Sequence, residues 1–370
     1  MILVNEPLLN GNEKKYLNEC IDTGWISSEG RFVDRLEREF AQYIGKKYGI
    51  AVCNGTAALE VALHAVGVKE GDEVIMPSFT IISCALAVLR LGARPVLVDI
   101  EPETWNMDVD RVASRITKKT TAIMPVHIYG HPVDMEPILE LSKIYGLTVV
   151  EDAAEAHGAE YKARKCGSMG NVSAFSFYPN KLITTGEGGI VLCDDKDVAN
   201  KASAYRNLYF GKEERFNHEG IGFNYRMSNL QAAIGVAQLE RIDDIVDFKR
   251  EMGRYYHDKL SLIDGIRAQT EKEWAKTVYW MYCIEVDENL GIDAKYIMAA
   301  LRKRGIGTRP FFKGLHTQSI FTNNGLFVGE KYENTDKAYK YGLYLPSGMT
   351  LTKAQIDVVV ESLREIVEGV

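Results

Sequence analysis

Three short stretches carry residues that could do chemistry together. In FSFYPNKLITTGEGGIVL (residues 175–192) one lysine, Lys181, separates an apolar run from Thr184, Thr185, Gly186, Gly188 and Gly189, which favour a turning backbone over a helix. A lysine taken out of water loses its proton more readily and becomes an amine nucleophile able to form an imine with an aldehyde. In LTVVEDAAEAHGAEY (147–161) two acids close an apolar run, with Asp152 at its mouth. In VCNGTAALEVAL (52–63) an apolar run ends in Asn54-Gly55-Thr56 and a helical pattern begins. Glycine there permits close backbone approach, and the free amides of a helix start can hold a phosphate. Each has a plainer reading by itself: Thr56 and Asp152 as helix caps, Asp152 as a solvated carboxylate, Lys181 as a surface charge.

The elements around these residues argue for a shared place. From residue 48 onward, short apolar runs (YGIAV, DEVIMPS, RPVLVDI, TAIMPVHIY, LTVVED) alternate with helical patterns, and strands continue at VSAFSFY and GIVLCDD. That rhythm predicts an α/β fold with a mostly parallel sheet covered on both faces. In such sheets ligands collect outside the carboxyl ends of the strands, where all three stretches fall. A phosphate cradle, a carboxylate for a protonated pyridine nitrogen and an imine-forming amine are together what pyridoxal phosphate requires. A long helical pattern covers residues 229–260, and beyond it the character changes to a strand-like VYWMYCIEV, a helix-like AKYIMAALRKRG and a last helix over 353–370. We expect a large domain over 1–245 and a smaller α+β domain over 246–370.

The chain's 370 residues, 46% of them hydrophobic and 26% charged, suit a core-forming globular protein of two domains. A formal charge of −7 disfavours nucleic acid as a partner. No apolar run reaches membrane-spanning length, and MILVNEPLLNGNEKK lacks the features of a secretory signal, so the cytoplasm is expected. The six cysteines are scattered without a CxxC pair, which argues against disulfide or zinc frameworks. His127 and His131 have metal-like spacing, but Gly130 and Pro132 argue for a loop, and no metal is expected. No GxGxxG follows a predicted strand, which argues against a nicotinamide enzyme.

The motifs GWISSEG, NGTAAL, VHIYGHPVDM, EDAAEAHG, FSFYPNKLITTGEGG, NYRMSNLQAAIGVAQLE, VYWMY, TRPFFKGLH and LPSG, in this order across almost the whole chain, resemble the DegT/DnrJ/EryC1/StrS sugar aminotransferases. The resemblance implies the aspartate aminotransferase (type I) fold and pyridoxal 5'-phosphate as cofactor, with pyridoxamine 5'-phosphate as its aminated form. It implies that Lys181 carries the cofactor and Asp152 pairs with the pyridine nitrogen. Glu155 would lie near the ring oxygen and Ala154 against the ring face, while Gly55, Thr56 and Ala57 meet the phosphate with the Ser176 hydroxyl. Asn224 resembles the asparagine that reaches the phosphate of the neighbouring subunit's cofactor, which implies a homodimer with shared active sites. Ile81 stands where the family usually has a ring-stacking aromatic, and Phe79 is a second candidate for that place.

The NKLITTGEGG version resembles enzymes acting at C4 of the sugar, and WISSEG, VHIYGHPVDM and TRPFFKGLH resemble the branch acting on GDP-4-keto-6-deoxy-D-mannose. That implies L-glutamate as amino donor and GDP-perosamine as product, for O-antigen or another surface glycan; a UDP- or dTDP-linked sugar is the alternative. For the diphosphate, Arg309, Lys313 and His316 offer cations. Trp25, Ser27, Ser28 and Tyr178 are candidates for the sugar pocket, with packing as the competing role for Trp25 and Tyr178. A sugar 3-dehydratase shares the fold but resembles the family with histidine replacing the lysine, so Lys181 argues against it. A non-catalytic regulator that binds the cofactor is a further class.

Overall fold

The apolar runs of the first half form one seven-stranded sheet: β1 Tyr48–Val52, β2 Glu73–Pro77, β3 Arg94–Val98, β4 Thr120–Ile123, β5 Thr148–Asp152, β6 Val172–Ser176 and β7 Gly189–Cys193. The structure, a computed structural model, describes residues 1–370 with the exception of 212, 213 and 215. In space the strands follow the order β1-β7-β6-β5-β4-β2-β3. Strands β2 to β6 pair in parallel, whereas β7 is antiparallel to both β6 and β1. The reversal has a local cause. The segment between β6 and β7 holds Lys181 and no helix, so nothing carries the chain back across the sheet, and β7 returns beside β6 as in a hairpin.

Helices cover this sheet, among them α1 Glu13–Thr23, α2 Arg31–Ile44, α3 Gly55–Ala65, α4 Ser83–Arg90, α5 Met135–Tyr145 and α6 Lys196–Arg206. The helical pattern over 229–260 resolves into two helices, α7 Asn229–Leu239 and α8 Ile242–Leu260. They part at Arg241, which leaves the helical region at φ −123° and ψ 13°. Periodicity continues through the break because both helices bury the same kind of face; side-chain bonds hold the break itself. The Glu240 carboxylate accepts from Tyr16, Asn12 and Arg35.

Beyond α8 a second, antiparallel sheet runs in the order Ile266–Ala268, Tyr282–Val286, Gly342–Leu345, Arg309–Pro310. It packs on the helices Ala294–Lys303 and Lys353–Glu368 through Ile284, Leu301, Leu343, Val359 and Leu363. The strand in VYWMYCIEV begins only at Tyr282. Val278, Trp280 and Met281 before it pack in the large core, and Tyr279 in the second. Residue 245 lies inside α8, so a continuous helix rather than a linker joins the two cores. Ile242, Ile245 and Val246 pack in the first core, and Met252, Tyr256 and Leu260 in the second. The N-terminal residues also join the second body, through a bridge between Ile2 and Ile306 and a bond from the Ser347 amide to the Val4 carbonyl, 2.7 Å.

Between the two halves of α8 sits Lys249, fully buried, its amine donating to the carbonyls of Trp280 (3.0 Å) and Ser347. Burial pushes this amine down to about 7 from 10.5. A neutral amine still has two hydrogens, enough for both carbonyls. Below about pH 7 the folded and unfolded chains both carry the proton. Between about 7 and 10.5 only the unfolded chain does, so the stability contributed at Lys249 rises with pH across that window. Urea unfolding midpoints at pH 7, 8 and 9 should climb less steeply in Lys249→Met than in the parent chain; equal slopes would contradict the assignment.

Candidate active site

The three chemistry-bearing stretches converge at the carboxyl end of the parallel strands, around a cavity of about 640 Å³. At one end stands the start of α3. Asn54 caps it, its Oδ1 accepting from the Ala57 amide at 2.8 Å. The first amides of a helix have no partner within it, so those of Gly55 and Thr56 remain for a ligand at the cavity wall. A Cβ at Gly55 would lie 2.7 Å from the Ser176 Cβ, so only glycine lets the helix start abut the end of β6. Gly55, Thr56, Ala57 and Ser176 thus line one end together.

Asp152, the last residue of β5, is 2% exposed. Its Oδ1 accepts from the Ala154 amide and its Oδ2 from the Cys84 thiol, both at 3.0 Å. Burial and the adjacent Asp152 hold that thiol well above its ordinary value, so Cys84 remains an S–H donor at neutral pH. Glu155 follows one turn later and is also buried. Its Oε2 accepts from the Tyr129 amide at 2.7 Å, and its Oε1 lies 3.6 Å from the Lys181 Nζ.

Lys181 reaches this place from the turn after β6, where its amide donates to the Tyr178 carbonyl at 2.9 Å. Its side chain is 10% exposed. Burial pushes its amine below the ordinary lysine value, while Glu155 and Asp152 pull the other way. The same burial raises Glu155 to about 7, opposed by Lys181. Behind them His157 is enclosed by Phe40, Phe175 and Phe177. Burial, with the Lys181 charge, holds its imidazole down at about 3, so it is neutral at physiological pH.

Ile81 and Ala154 line the cavity, Ile81 with 41% of its surface exposed. Phe79 does not: it is wholly buried against Tyr129, Phe311 and Phe312, so of the two only Ile81 is available to a ring in the cavity. Tyr178 stands half-exposed on the wall. Other expected residues lie elsewhere. Asn224 is exposed outside the cavity, bridged through its backbone to Asn207, although the next residue, Tyr225, lines it. Trp25 is exposed, and Ser27 and Ser28 line a separate depression with Arg206 and Arg226. Arg309 and Lys313 are exposed outside the cavity wall. His316, the third residue expected at the diphosphate, is buried against Tyr332, with Nε2 3.1 Å from the Asp336 carboxylate.

His127 and His131 flank a short turn, Ile128–Gly130, and both are buried and hydrogen-bonded. His127 pairs with Glu151 at 3.0 Å, and His131 accepts from the Lys272 amide at 3.2 Å. Among the described residues no group of three or more His, Cys, Asp or Glu side chains could hold a metal ion, and all six cysteines are free. Three further wall residues were not singled out in sequence. Trp280 comes from the segment just before the second sheet, Tyr344 from a strand of that sheet, and Arg90, which pairs with the buried Glu60 at 3.1 Å, from the far end of α4. Cys84, behind the wall, is a buried thiol indistinguishable in sequence from a core residue until Asp152 is placed beside it.

The chemistry of this donor set fits a phosphorylated aldehyde with a basic ring nitrogen. A helix start with open amides suits the phosphate, a buried carboxylate the ring nitrogen, and a desolvated amine the aldehyde. Gly55→Ala tests the tightest contact. Overpacking against Ser176 should cost about 1–3 kcal/mol of stability and weaken retention of pyridoxal phosphate on gel filtration; unchanged urea unfolding would show the approach is looser than described.

Comparison with known proteins agrees with this geometry. The family model described as the DegT/DnrJ/EryC1/StrS aminotransferase family matches residues 7–364. The chain is 43% identical over 368 residues to GDP-perosamine synthase of Caulobacter vibrioides, covering 99% of this chain and 98% of that one. It is 40% identical to GDP-perosamine synthase of Escherichia coli O157:H7, covering 98% of each. Among solved structures, S. venezuelae DesV in complex with a ketimine intermediate superposes with a TM-score of 0.91 at 31% identity, over 97% of this chain and 95% of that one. The chain belongs to the DegT/DnrJ/EryC1/StrS aminotransferase family and is a pyridoxal phosphate-dependent enzyme.

Proposed function

We propose that this enzyme transfers the amino group of L-glutamate to C4 of GDP-4-keto-6-deoxy-D-mannose, giving GDP-perosamine and 2-oxoglutarate, in the cytoplasm and for O-antigen or another surface glycan. The observation that carries this reading is the 43% identity, over nearly the whole of both chains, to a GDP-perosamine synthase. Asn224, exposed and outside its own cavity, would reach the phosphate of the neighbouring subunit's cofactor, so the working unit is a homodimer.

Bound in the cavity, pyridoxal phosphate supplies an aldehyde that bonds reversibly to amines and a ring that accepts the electron pair left when a proton is removed. The chain's own residues do the rest. Gly55 and Thr56 would hold the phosphate through their open amides at the start of α3, with Ala57 and the Ser176 hydroxyl lining the same end. Asp152, kept in place by Ala154 and Cys84, presents a carboxylate to the ring nitrogen and favours its protonated form. Ile81 and Ala154 bound the ring on the cavity wall, where Ile81 supplies an apolar face but no stacking. Lys181 is the amine that would hold the aldehyde and, once displaced by the donor, would carry a proton between the substrate carbon and the cofactor's former aldehyde carbon. Its depressed basicity suits both duties, because burial makes the neutral, nucleophilic amine easier to reach. Glu155, at 3.6 Å and raised to about 7, keeps a titrating partner beside that amine and lies where the ring oxygen would come. Tyr178 faces the substrate at the wall; Trp25, Ser27, Arg309, Lys313 and His316 lie outside this cavity and stand as candidates for the sugar and diphosphate beyond it.

Two measurements test the assignment. Lys181→Ala should lose turnover by at least about 10³-fold while unfolding near the parent midpoint, and borohydride reduction of the holoenzyme followed by peptide mapping should find the cofactor on Lys181. Incubation with glutamate and GDP-, UDP- or dTDP-linked 4-keto-6-deoxy sugars, with products identified by mass, should yield amino sugar from the GDP substrate. Reaction with only a UDP or dTDP sugar would remove perosamine and leave the aminotransferase.

A further inference from the structure

The chemistry above leaves unused a buried lysine on α8 and a tryptophan against the Lys181 amine. Trp280 is 3% exposed and lines the cavity, with the Lys181 Nζ 3.7 Å from the centre of its ring. Its indole N–H donates to the carbonyl of Asn180 at 2.6 Å, and the Asn5 side chain donates to the same carbonyl at 3.1 Å. That carbonyl belongs to the residue directly before Lys181, so the backbone delivering the amine is held from two sides.

The tryptophan is itself aimed. Lys249 donates to the Trp280 carbonyl at 3.0 Å. One turn further along α8, a Cβ at Gly253 would meet the Tyr279 ring at 2.4 Å, so only glycine leaves room for that ring. Tyr279 sits at φ 45°, a left-handed conformation that costs an aromatic residue roughly 1–3 kcal/mol and persists only when its surroundings impose it. The Tyr129 ring lies 6.1 Å from the indole, nearly parallel to it at 17°. A buried amine, a missing Cβ and a strained tyrosine together serve to turn one indole toward Lys181.

We propose that Trp280 is a further catalytic residue, its ring face stabilising the ammonium form of Lys181 and its N–H fixing the Asn180 carbonyl, with Lys249 and Gly253 as the positioning residues that aim it. The inference rests on the reading of Lys181 as the cofactor-bearing amine. Other groups near this amine are Glu155 and Asp152, whose charges favour its protonated form, together with Cys84 and the neutral His157. The indole adds a polarisable face that holds a cation without contributing a charge or a proton, so it biases Lys181 without competing for the substrate's proton.

The test uses the full-length protein loaded with pyridoxamine phosphate, in which the Lys181 amine is free. Competitive acetylation by acetic anhydride against pH, read at the Lys181 peptide by mass, gives the midpoint at which that amine loses its proton. In Trp280→Leu the midpoint should fall by roughly 0.4 to 1.5 on the pH scale, from loss of the ring face. Trp280→Phe keeps a face and loses the N–H. Its midpoint should stay near that of the parent, while kcat drops about tenfold, the effect of one lost positioning bond, and KM for both substrates changes less than about twofold. An unchanged or higher midpoint in Trp280→Leu overturns the role of the face, and an unchanged kcat in Trp280→Phe overturns the role of the N–H. If the leucine variant does not fold, Trp280→Met, which also removes the aromatic face, takes its place in the midpoint measurement with the same two outcomes. Should borohydride mapping of the parent holoenzyme find Lys181 unmodified, the reading of Lys181 fails first, independently of either variant.

Discussion

An amine and two carboxylates share one poorly hydrated cavity, and the rest of the structure depends on keeping them in balance. At 3.6 Å the Lys181–Glu155 attraction is about 5 kcal/mol at an effective dielectric constant of 20, close to the several kcal/mol it costs to strip each ion of water. Neither effect wins outright. Burial therefore pushes the lysine down and the glutamate up, while each holds the other back. Asp152 is fixed beside them by a thiol and an amide that donate to its two oxygens.

The sheet provides the place for this balance. Strands β1, β5 and β6 end side by side or one strand apart, and each hands its next residues to the same crevice. The reversed strand β7 is a consequence of the Lys181 turn rather than an ornament of the sheet, because a crossover helix in that segment would carry the lysine away from Asp152. Opposite, Trp280, Phe312 and Tyr344 close the cavity, packed on the large core although they come from the chain beyond α8. α8 itself runs unbroken through both cores and is anchored in each.

Much of this was legible in the amino-acid order. Five-residue apolar runs ending in Asn54-Gly55, Asp152 and Ser176 announce strand ends, and the mostly parallel sheet follows from their alternation with helices. The resemblance to the sugar aminotransferases rests on motifs distributed along nearly the whole chain, and the family match over residues 7–364 agrees with it. The break at Arg241 and the late start of the strand at Tyr282 were not legible. Both are decided by bonds to residues far away in sequence: Glu240 to Tyr16 for the first, Val278 to Gly130 and Trp280 to Asn180 for the second.

Local sequence determined which residues stand at strand ends and which of them can act as acid, amine or phosphate cradle, because period, turn chemistry and capping are properties of neighbours in the chain. Only the tertiary structure decided how these groups titrate, that Phe79 is sealed in the core while Ile81 lines the wall, and that His316 turns inward to Asp336. Desolvation and through-space contact fall off over a few ångströms in space and take no account of distance along the chain. The Lys181 amine and the Trp280 ring, 3.7 Å apart across a separation of nearly a hundred residues, are related by folding alone.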